Sequence, residues 1–352
     1  MSSFRLSHKK DFDVIVVGAG PGGLACATRL ARSGVDVLLL ERNKRIGVKA
    51  CAGGITWSGL IQSVPETLIE RSFPQQYVTS RLQNICVSAA QPIIATVSRE
   101  KLGHFMAEQA RKAGVTLQTS TSLKLISPEK ITVTCHNTGE VSSFSYNYLV
   151  GADGSSSTVR RLLGFATSAF GIGITYQISR KHDKMEWDLD SRFFDNGYGW
   201  IFPHADSISI GAYLPQKSRN AVQLQKRLHH WAAAKGITLS AKSCSAGLIN
   251  YDFQGYCFGR YFLVGDAAGC ASALTGEGIY PAIISGEAAA DKILDPQHES
   301  EKIKQLIRRQ RRFRAMVNIT SKNNLLAQFL AETGVLGLRT GILTFKMLEM
   351  SS

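Results

Sequence analysis

Phe12-Asp-Val-Ile-Val-Val-Gly-Ala-Gly-Pro-Gly-Gly23 begins as a short β-branched run and breaks at a glycine-rich turn. A run of that kind reads as a buried strand. From Leu24 to Ser33 the apolar residues fall at helical spacing, Gly34 stops the helix, and Asp36-Val-Leu-Leu-Leu-Glu41 is a second strand. The result is a βαβ unit with Gly18, Gly20 and Gly23 in the positions of a dinucleotide fingerprint. Gly18 permits the tight turn, Gly20 lets the backbone approach a pyrophosphate, and Gly23 lets the helix pack on the strand. Pro21 and Gly22 belong to the same turn. Glu41, with Arg42 beside it, ends the second strand where an acid grips ribose hydroxyls. A lone GxGxxG carries little weight. Inside this frame it specifies a nucleotide-binding α/β fold and leaves NAD and FAD both open.

The chain's 352 residues are enough for a large core and two closely joined lobes. Hydrophobic residues at 44% and charged residues at 19% fit a globular protein. No uncharged apolar run of about 18 residues predicts a membrane span. The first residues are polar and basic, unlike a secretory signal. Seven cysteines occur without a CxxC pair or a His/Cys cluster, so no metal is expected. The expected compartment is a reducing cytoplasm, and Cys26, Cys86, Cys135, Cys244 and Cys257 read as small buried hydrophobes.

A net charge of +14 favours an anionic partner. Lys302, Lys304, Arg308, Arg309, Arg311, Arg312 and Arg314 crowd one predicted helix, and the segment from Leu325 to Met350 is rich in Leu, Phe and Met. A basic helix followed by an amphipathic apolar one suits an anionic membrane surface, so peripheral attachment at the inner membrane face is expected. No nucleic-acid-binding motif accompanies the charge, and no nucleic-acid partner is expected.

Two further segments select the cofactor. Tyr148-Leu-Val-Gly-Ala-Asp-Gly154 is a strand running into Asp153-Gly154, and Tyr261-Phe-Leu-Val-Gly-Asp266 is a strand running into Gly265-Asp266. They resemble the DG and GD motifs of the flavoprotein hydroxylases, the p-hydroxybenzoate hydroxylase-like superfamily, in which the second Asp contacts the flavin ribityl chain. That resemblance implies FAD. The continuation Thr275-Gly-Glu-Gly-Ile-Tyr-Pro281, the turn Lys49-Ala-Cys-Ala-Gly-Gly-Ile55 and the strand Gly197-Tyr-Gly-Trp-Ile-Phe-Pro203 are similar to motifs of the geranylgeranyl reductase family. Arg99 fits that family's arginine before a helix beside the flavin. Ala52 stands where the family has glycine, and Leu102-Gly103 where Phe-Asp is common.

The resemblance implies a Rossmann-like FAD-binding domain with a mixed, mainly parallel sheet (residues 1–75, 95–165 and 255–300). Apolar and polar residues alternate over 76–94 and 166–254, which reads as an antiparallel-sheet substrate domain, and residues 301–352 read as basic, amphipathic C-terminal helices. The resemblance places Lys49, Cys51, Ala52, Gly53 and Arg99 at the flavin. Gly276, Gly278 and Ile279 would aim a helix N-terminus at the pyrimidine end of the ring. The implied reaction is hydride transfer from the flavin N5 to a C=C bond of a prenyl-chain lipid or other apolar small molecule, with protonation of the neighbouring carbon. Cys51 is the candidate proton donor or positioning group. Tyr198 is the second candidate, and Trp200 shares its aromatic strand. The reductant would bind transiently, as NAD(P)H or a reduced ferredoxin- or flavodoxin-type donor. The alternatives are an FAD-dependent monooxygenase or halogenase-like enzyme on a small apolar or aromatic compound, and a flavin carrier without reductase activity.

Overall fold

The structure is a computed structural model that describes residues 10–49, 51–57, 64–215 and 221–344. The polar N-terminal segment before residue 10 and the end of the apolar C-terminal segment, residues 345–352, lie outside the described residues. Among the described residues, six helices are longer than ten residues: α1 (Pro21–Arg32), α2 (Arg99–Lys112), α3 (Ala221–Ala234), α4 (Ile279–Leu294), α5 (Glu301–Thr320) and α6 (Asn324–Thr340).

The first sheet has eight strands. Its core runs Tyr261–Leu263, Val141–Gly151, Asp11–Val17, Val37–Leu40 and Thr116–Gln118, each parallel to its neighbour. The hairpin of Thr121–Ile126 and Lys130–Cys135 adds antiparallel to Val141–Gly151. The central strands are nearly continuous apolar runs because both faces are covered. On one face Val14, Val16 and Leu39 pack against Leu24 and Leu30 of α1, Ala107 and Ala110 of α2, and Ala289 of α4. On the other, Ile15, Leu38 and Leu40 meet Leu123, Val159 and Ala267.

The second sheet has seven strands in the order Cys244–Asn250, Phe170–Ile178, Ile208–Pro215, Tyr198–Pro203, Glu186–Asp188, Gln75–Thr79, Asn84–Ser88. All its pairs are antiparallel except Glu186–Asp188 with Gln75–Thr79. The alternation expected over residues 166–254 is interrupted by α3, which lays Leu224, Leu228 and Trp231 on Ile174, Ile201 and Ile210. That leaves Trp200, Phe202 and Tyr213 for the opposite face. A small third sheet joins Gly54–Thr56, Ile94–Val97 and Ile69–Phe73.

Of the five cysteines expected to be buried, Cys26 is and the other four are not. Cys26 and Cys270 are the buried ones, and burial pushes both thiols up to about 12. Cys86 and Cys257 are exposed, and Cys135 and Cys244 are half-buried. Cys86 sits on the outermost strand of the second sheet and Cys257 on that of the first, each flanked by a neighbouring strand on one side only. Among the described residues no helix is long and apolar enough to cross a membrane.

Two long-range contacts fasten the molecule. Where α1 crosses α4, Gly22 and Gly286 meet backbone to backbone: a Cβ on Gly286 would stand 2.2 Å from the Gly22 carbonyl oxygen. Farther along, Arg29 pairs with Asp291. At the other end of the chain, Glu332 of α6 accepts from Ser80 Oγ (2.7 Å), the Leu82 amide (3.1 Å) and Gln83 Nε2 (3.0 Å), tying α6 to the turn at residues 80–83.

A Gly286→Val substitution is expected to cost about 1–3 kcal/mol or more through overpacking; thermal unfolding measures it. Partial burial pushes the Glu332 carboxyl up, but the hydrogen bonds from Gln83, Ser80, Leu82 and Gln328 outweigh it and hold the group below the ordinary glutamate range. A depressed value stabilises the docked helix in full above that range, near about pH 4.3, and the gain is lost as pH falls below it. The protection of amides in α6 and residues 80–83, relative to their intrinsic exchange rate at each pH, is therefore expected to fall on acidification, and Glu332→Gln is expected to flatten that dependence.

Candidate active site

One cavity of about 1310 Å3 runs between the two large sheets. Its first part is bordered by Gly18, Gly20, Pro21 and Gly22, with Glu41 and Arg42 at the end of the second strand. The α1 N-terminus points here and has no side-chain cap, so its amides and the helix dipole favour an anion. Glu41 Oε2 accepts from the Ala19 amide (2.9 Å) and Oε1 from the Asn43 amide (2.8 Å), which holds the fingerprint turn against the strand end. Gly23 stands behind the lining, where a Cβ would lie 2.0 Å from the Gly18 carbonyl oxygen.

In the second part, Asp153 and Gly154 face Gly265 and Asp266 across the cavity. The Asp153 carboxylate is spent on its own turn, accepting from Ser157 Oγ (2.5 Å) and the amides of Thr158 (2.6 Å) and Val159 (3.1 Å). Burial raises its pKa despite those bonds. Asp153 therefore shapes the loop with its side chain and borders the cavity without offering a free carboxylate. Asp266 differs. Its Oδ2 accepts from Lys49 Nζ and from Ser155 Oγ, both at 2.9 Å, joining residues 217 apart. Arg99, the first residue of α2, borders the same space, and its Nη1 is buried with no partner. An orphaned guanidinium nitrogen beside an uncapped helix N-terminus and a carboxylate suits a molecule with diphosphate, sugar and carbonyl acceptors. FAD fits that donor set.

Gly276, Gly278 and Ile279 border the next stretch, where α4 starts at Ile279 with Gly278 as an uncapped N-terminal residue. Opposite them, Cys51 is half-buried at the wall and its Sγ accepts from the Gly53 amide at 3.4 Å. Ala52 also borders the cavity. Gly53 does not; with φ +77° it backs onto His204, whose Cε1 would lie 2.5 Å from a Cβ. His204 is buried. Its Nε2 lies 3.0 Å from the Ala52 carbonyl oxygen and its Nδ1 2.6 Å from Glu70 Oε2, while Lys101 Nζ takes Glu70 Oε1 at 3.2 Å. This Glu70–His204 support under the Cys51 turn was not foreseen, although His204 directly follows Pro203 of the aromatic motif.

Tyr198, Trp200 and Phe202 form the aromatic wall with Trp187, whose ring lies 6.0 Å from Tyr198 and 6.4 Å from Phe202 between centroids. Tyr198 donates its hydroxyl to the Thr275 carbonyl (2.5 Å). Burial pushes its phenol well up, and the nearby acidic groups of Glu277 and Cys51 add to the shift. Trp200 is buried and donates Nε1–H to Ser209 Oγ at 3.1 Å, so it offers the cavity a ring face. Beyond the wall the cavity becomes apolar and is lined by Ala327, Leu330, Val335 and Leu338 of α6. Sequence reading assigned that helix to the surface alone.

Residues 11–304 match the FAD binding domain family. The chain is 30% identical over 298 residues to a geranylgeranyl diphosphate reductase of Rhodobacter capsulatus, covering 80% of this chain and 74% of that one. A geranylgeranyl bacteriochlorophyll reductase-like protein of Thermoplasma acidophilum superposes with a TM-score of 0.72 at 20% identity, covering 92% of this chain and 87% of that one. A probable FAD-dependent monooxygenase of Pseudomonas aeruginosa superposes at 0.65 and 20% identity, covering 94% and 100%. At such identities the two superpositions speak for the fold alone. Family match, relative and cofactor-shaped cleft together show that the chain belongs to the FAD binding domain family, as a geranylgeranyl reductase-like FAD-dependent oxidoreductase.

Proposed function

We propose that the protein reduces carbon–carbon double bonds of an isoprenoid chain. The observation that carries this reading is the continuity of the cavity. The space beside the dinucleotide turn runs past Cys51 and the aromatic wall into the apolar compartment lined by α6. Its volume of about 1310 Å3 exceeds the roughly 300–1,000 Å3 of a pocket for one small ligand, which suits a dinucleotide and an apolar chain side by side. The likeness to the Rhodobacter capsulatus enzyme supports the same reading.

Reduced FAD, when bound, supplies a hydride to one carbon of the alkene. An isolated alkene accepts hydride poorly, so the protein's share is alignment, exclusion of water and timely delivery of a proton. Trp187, Trp200 and Phe202 line the cavity with ring surface, and α6 supplies apolar lining beyond them. Cys51 holds its thiol at the wall, fixed through Sγ by the Gly53 amide, and acts as proton donor. Tyr198 already donates its hydroxyl hydrogen bond to the Thr275 carbonyl oxygen, which makes it the group that anchors the 275–278 loop. NAD(P)H or a reduced ferredoxin- or flavodoxin-type carrier meets the site transiently as reductant.

Anaerobic turnover of a prenyl substrate is expected to add whole hydrogen pairs, read by mass spectrometry. An oxygen-dependent hydroxylated product would instead mean a monooxygenase. Cys51→Ala is expected to keep FAD and lose on the order of 10²-fold in turnover, the usual scale of a general acid; a wild-type rate removes Cys51 from the chemistry. Arg99→Leu is expected to weaken FAD about tenfold, as loss of a charge-assisted hydrogen bond does. Flavin fluorescence titration of the apoprotein measures this, and unchanged affinity would take Arg99 out of the cofactor site.

A further inference from the structure

The helices that line the apolar part of the cavity, α5 and α6, also carry the molecule's largest group of exposed apolar side chains among the described residues. Leu325 is 78% exposed, Phe329 62% and Ile319 54%. On α6, positions 325, 329 and 336 are spaced by four and seven residues and share one face of the helix. That face is held outward because Ala327 and Leu338 on the opposite side are buried, with Val335 at their flank, and because Glu332, at the edge of the strip, is bonded to the turn at residues 80–83. On α5, Met316 and Ile319 continue the strip toward Leu325. One to two turns earlier the same helix exposes Arg308, Arg311 and Arg312. These three guanidiniums have no ion-pair partner among the described residues. Arg314, by contrast, is turned inward to Asp252 Oδ1 at 3.0 Å. The surface is thus an apolar strip with an unneutralised cationic end.

The strip coincides with the end of the cavity. Met316, Leu330, Leu336 and Ile342 border the cavity and are also exposed, Ile342 by 74%. They form a rim that belongs to both the interior and the surface. A soluble ligand would gain nothing from apolar side chains standing outside such a rim. An anionic lipid bilayer gains twice, because its acyl region takes the apolar strip and its headgroups take the guanidiniums.

We infer that the α5–α6 face docks on an anionic membrane surface and that the cavity opens there, so that a prenyl lipid passes from the bilayer to the aromatic wall. The direction of lipid passage rests on the isoprenoid reading above; the docking itself rests on the surface. The charge pattern selects the bilayer over a second copy of this chain, since two such faces would bring unpaired arginines together.

The test uses FAD-loaded protein and flotation with vesicles of phosphatidylcholine mixed with phosphatidylglycerol, against phosphatidylcholine alone. Wild type is expected to float with the anionic vesicles and to release at high salt. The double variant Leu325→Asp/Phe329→Asp is expected to bind at least tenfold more weakly, and the triple variant Arg308→Gln/Arg311→Gln/Arg312→Gln to lose the preference for anionic lipid. None of these five residues borders the cavity, so both variants are expected to reduce a detergent-solubilised prenyl substrate at the wild-type rate. The inference is overturned if wild type ignores anionic vesicles, if the double variant floats as well as wild type, or if sedimentation shows a dimer that Phe329→Asp disperses. Wild type that floats as expected and reduces no prenyl substrate would uphold the docking surface and remove the reductase reading.

Discussion

The crossing of α1 and α4 at Gly22 and Gly286 is the constraint on which the site depends. The fingerprint turn and the Gly265–Ile279 segment are far apart in sequence, and they form one cleft only because two helices touch without side chains between them. Any β-carbon at the crossing pushes the helices apart, and with them the two halves of the cofactor site. Arg29 and Asp291 then set the angle from the other end of the helices. The small-residue composition of α4, with Ala288, Ala289 and Ala290 buried, follows from the same need for close approach.

Cofactor and apolar ends of the cavity are built by different means. Around the fingerprint and Asp266, polar backbone and charged side chains are fixed by short-range bonds within loops. Around the aromatic wall, position comes from strand register. Trp200 opposes Gly211, and Tyr198 opposes Tyr213, across the Tyr198–Pro203 and Ile208–Pro215 pair. A one-residue slip would turn every ring to the α3 side. The Cys51 turn lies between the two regions and borrows its rigidity from His204 and Glu70, which come from the second and third sheets.

What the sequence made legible was local. The βαβ frame, the Asp153 and Asp266 turns, Cys51 and the aromatic strand each announce themselves within a few residues, and all but Gly23 and Gly53 of the expected site residues border the cavity. Gly23 does what its fingerprint position requires by packing the helix, so its place behind the lining follows from the same rule. The contributions that escaped reading are non-local. Glu70 sits on a strand with no motif, Trp187 reaches the wall through a three-residue strand, and α6 becomes cavity wall through the docking of Glu332 and the packing of Val335 and Leu338. The helix α3 was readable, since Leu224, Leu228 and Trp231 fall at spacings of four and three, but the strand alternation on both sides of it masked the change of period.

The pairing of Lys49 with Asp266 has a consequence for what this carboxylate can recognise. Oδ2 is taken by an ammonium and a hydroxyl, while Oδ1 faces Gly278. An amide in place of the acid has a single oxygen, and Lys49, which can only donate, claims it. The amide nitrogen would then be the group turned toward Gly278, and an acceptor would become a donor. The polarity that the site shows to an arriving hydroxyl is therefore written by the lysine as much as by the aspartate, through the orientation it would impose on whatever residue stands at position 266.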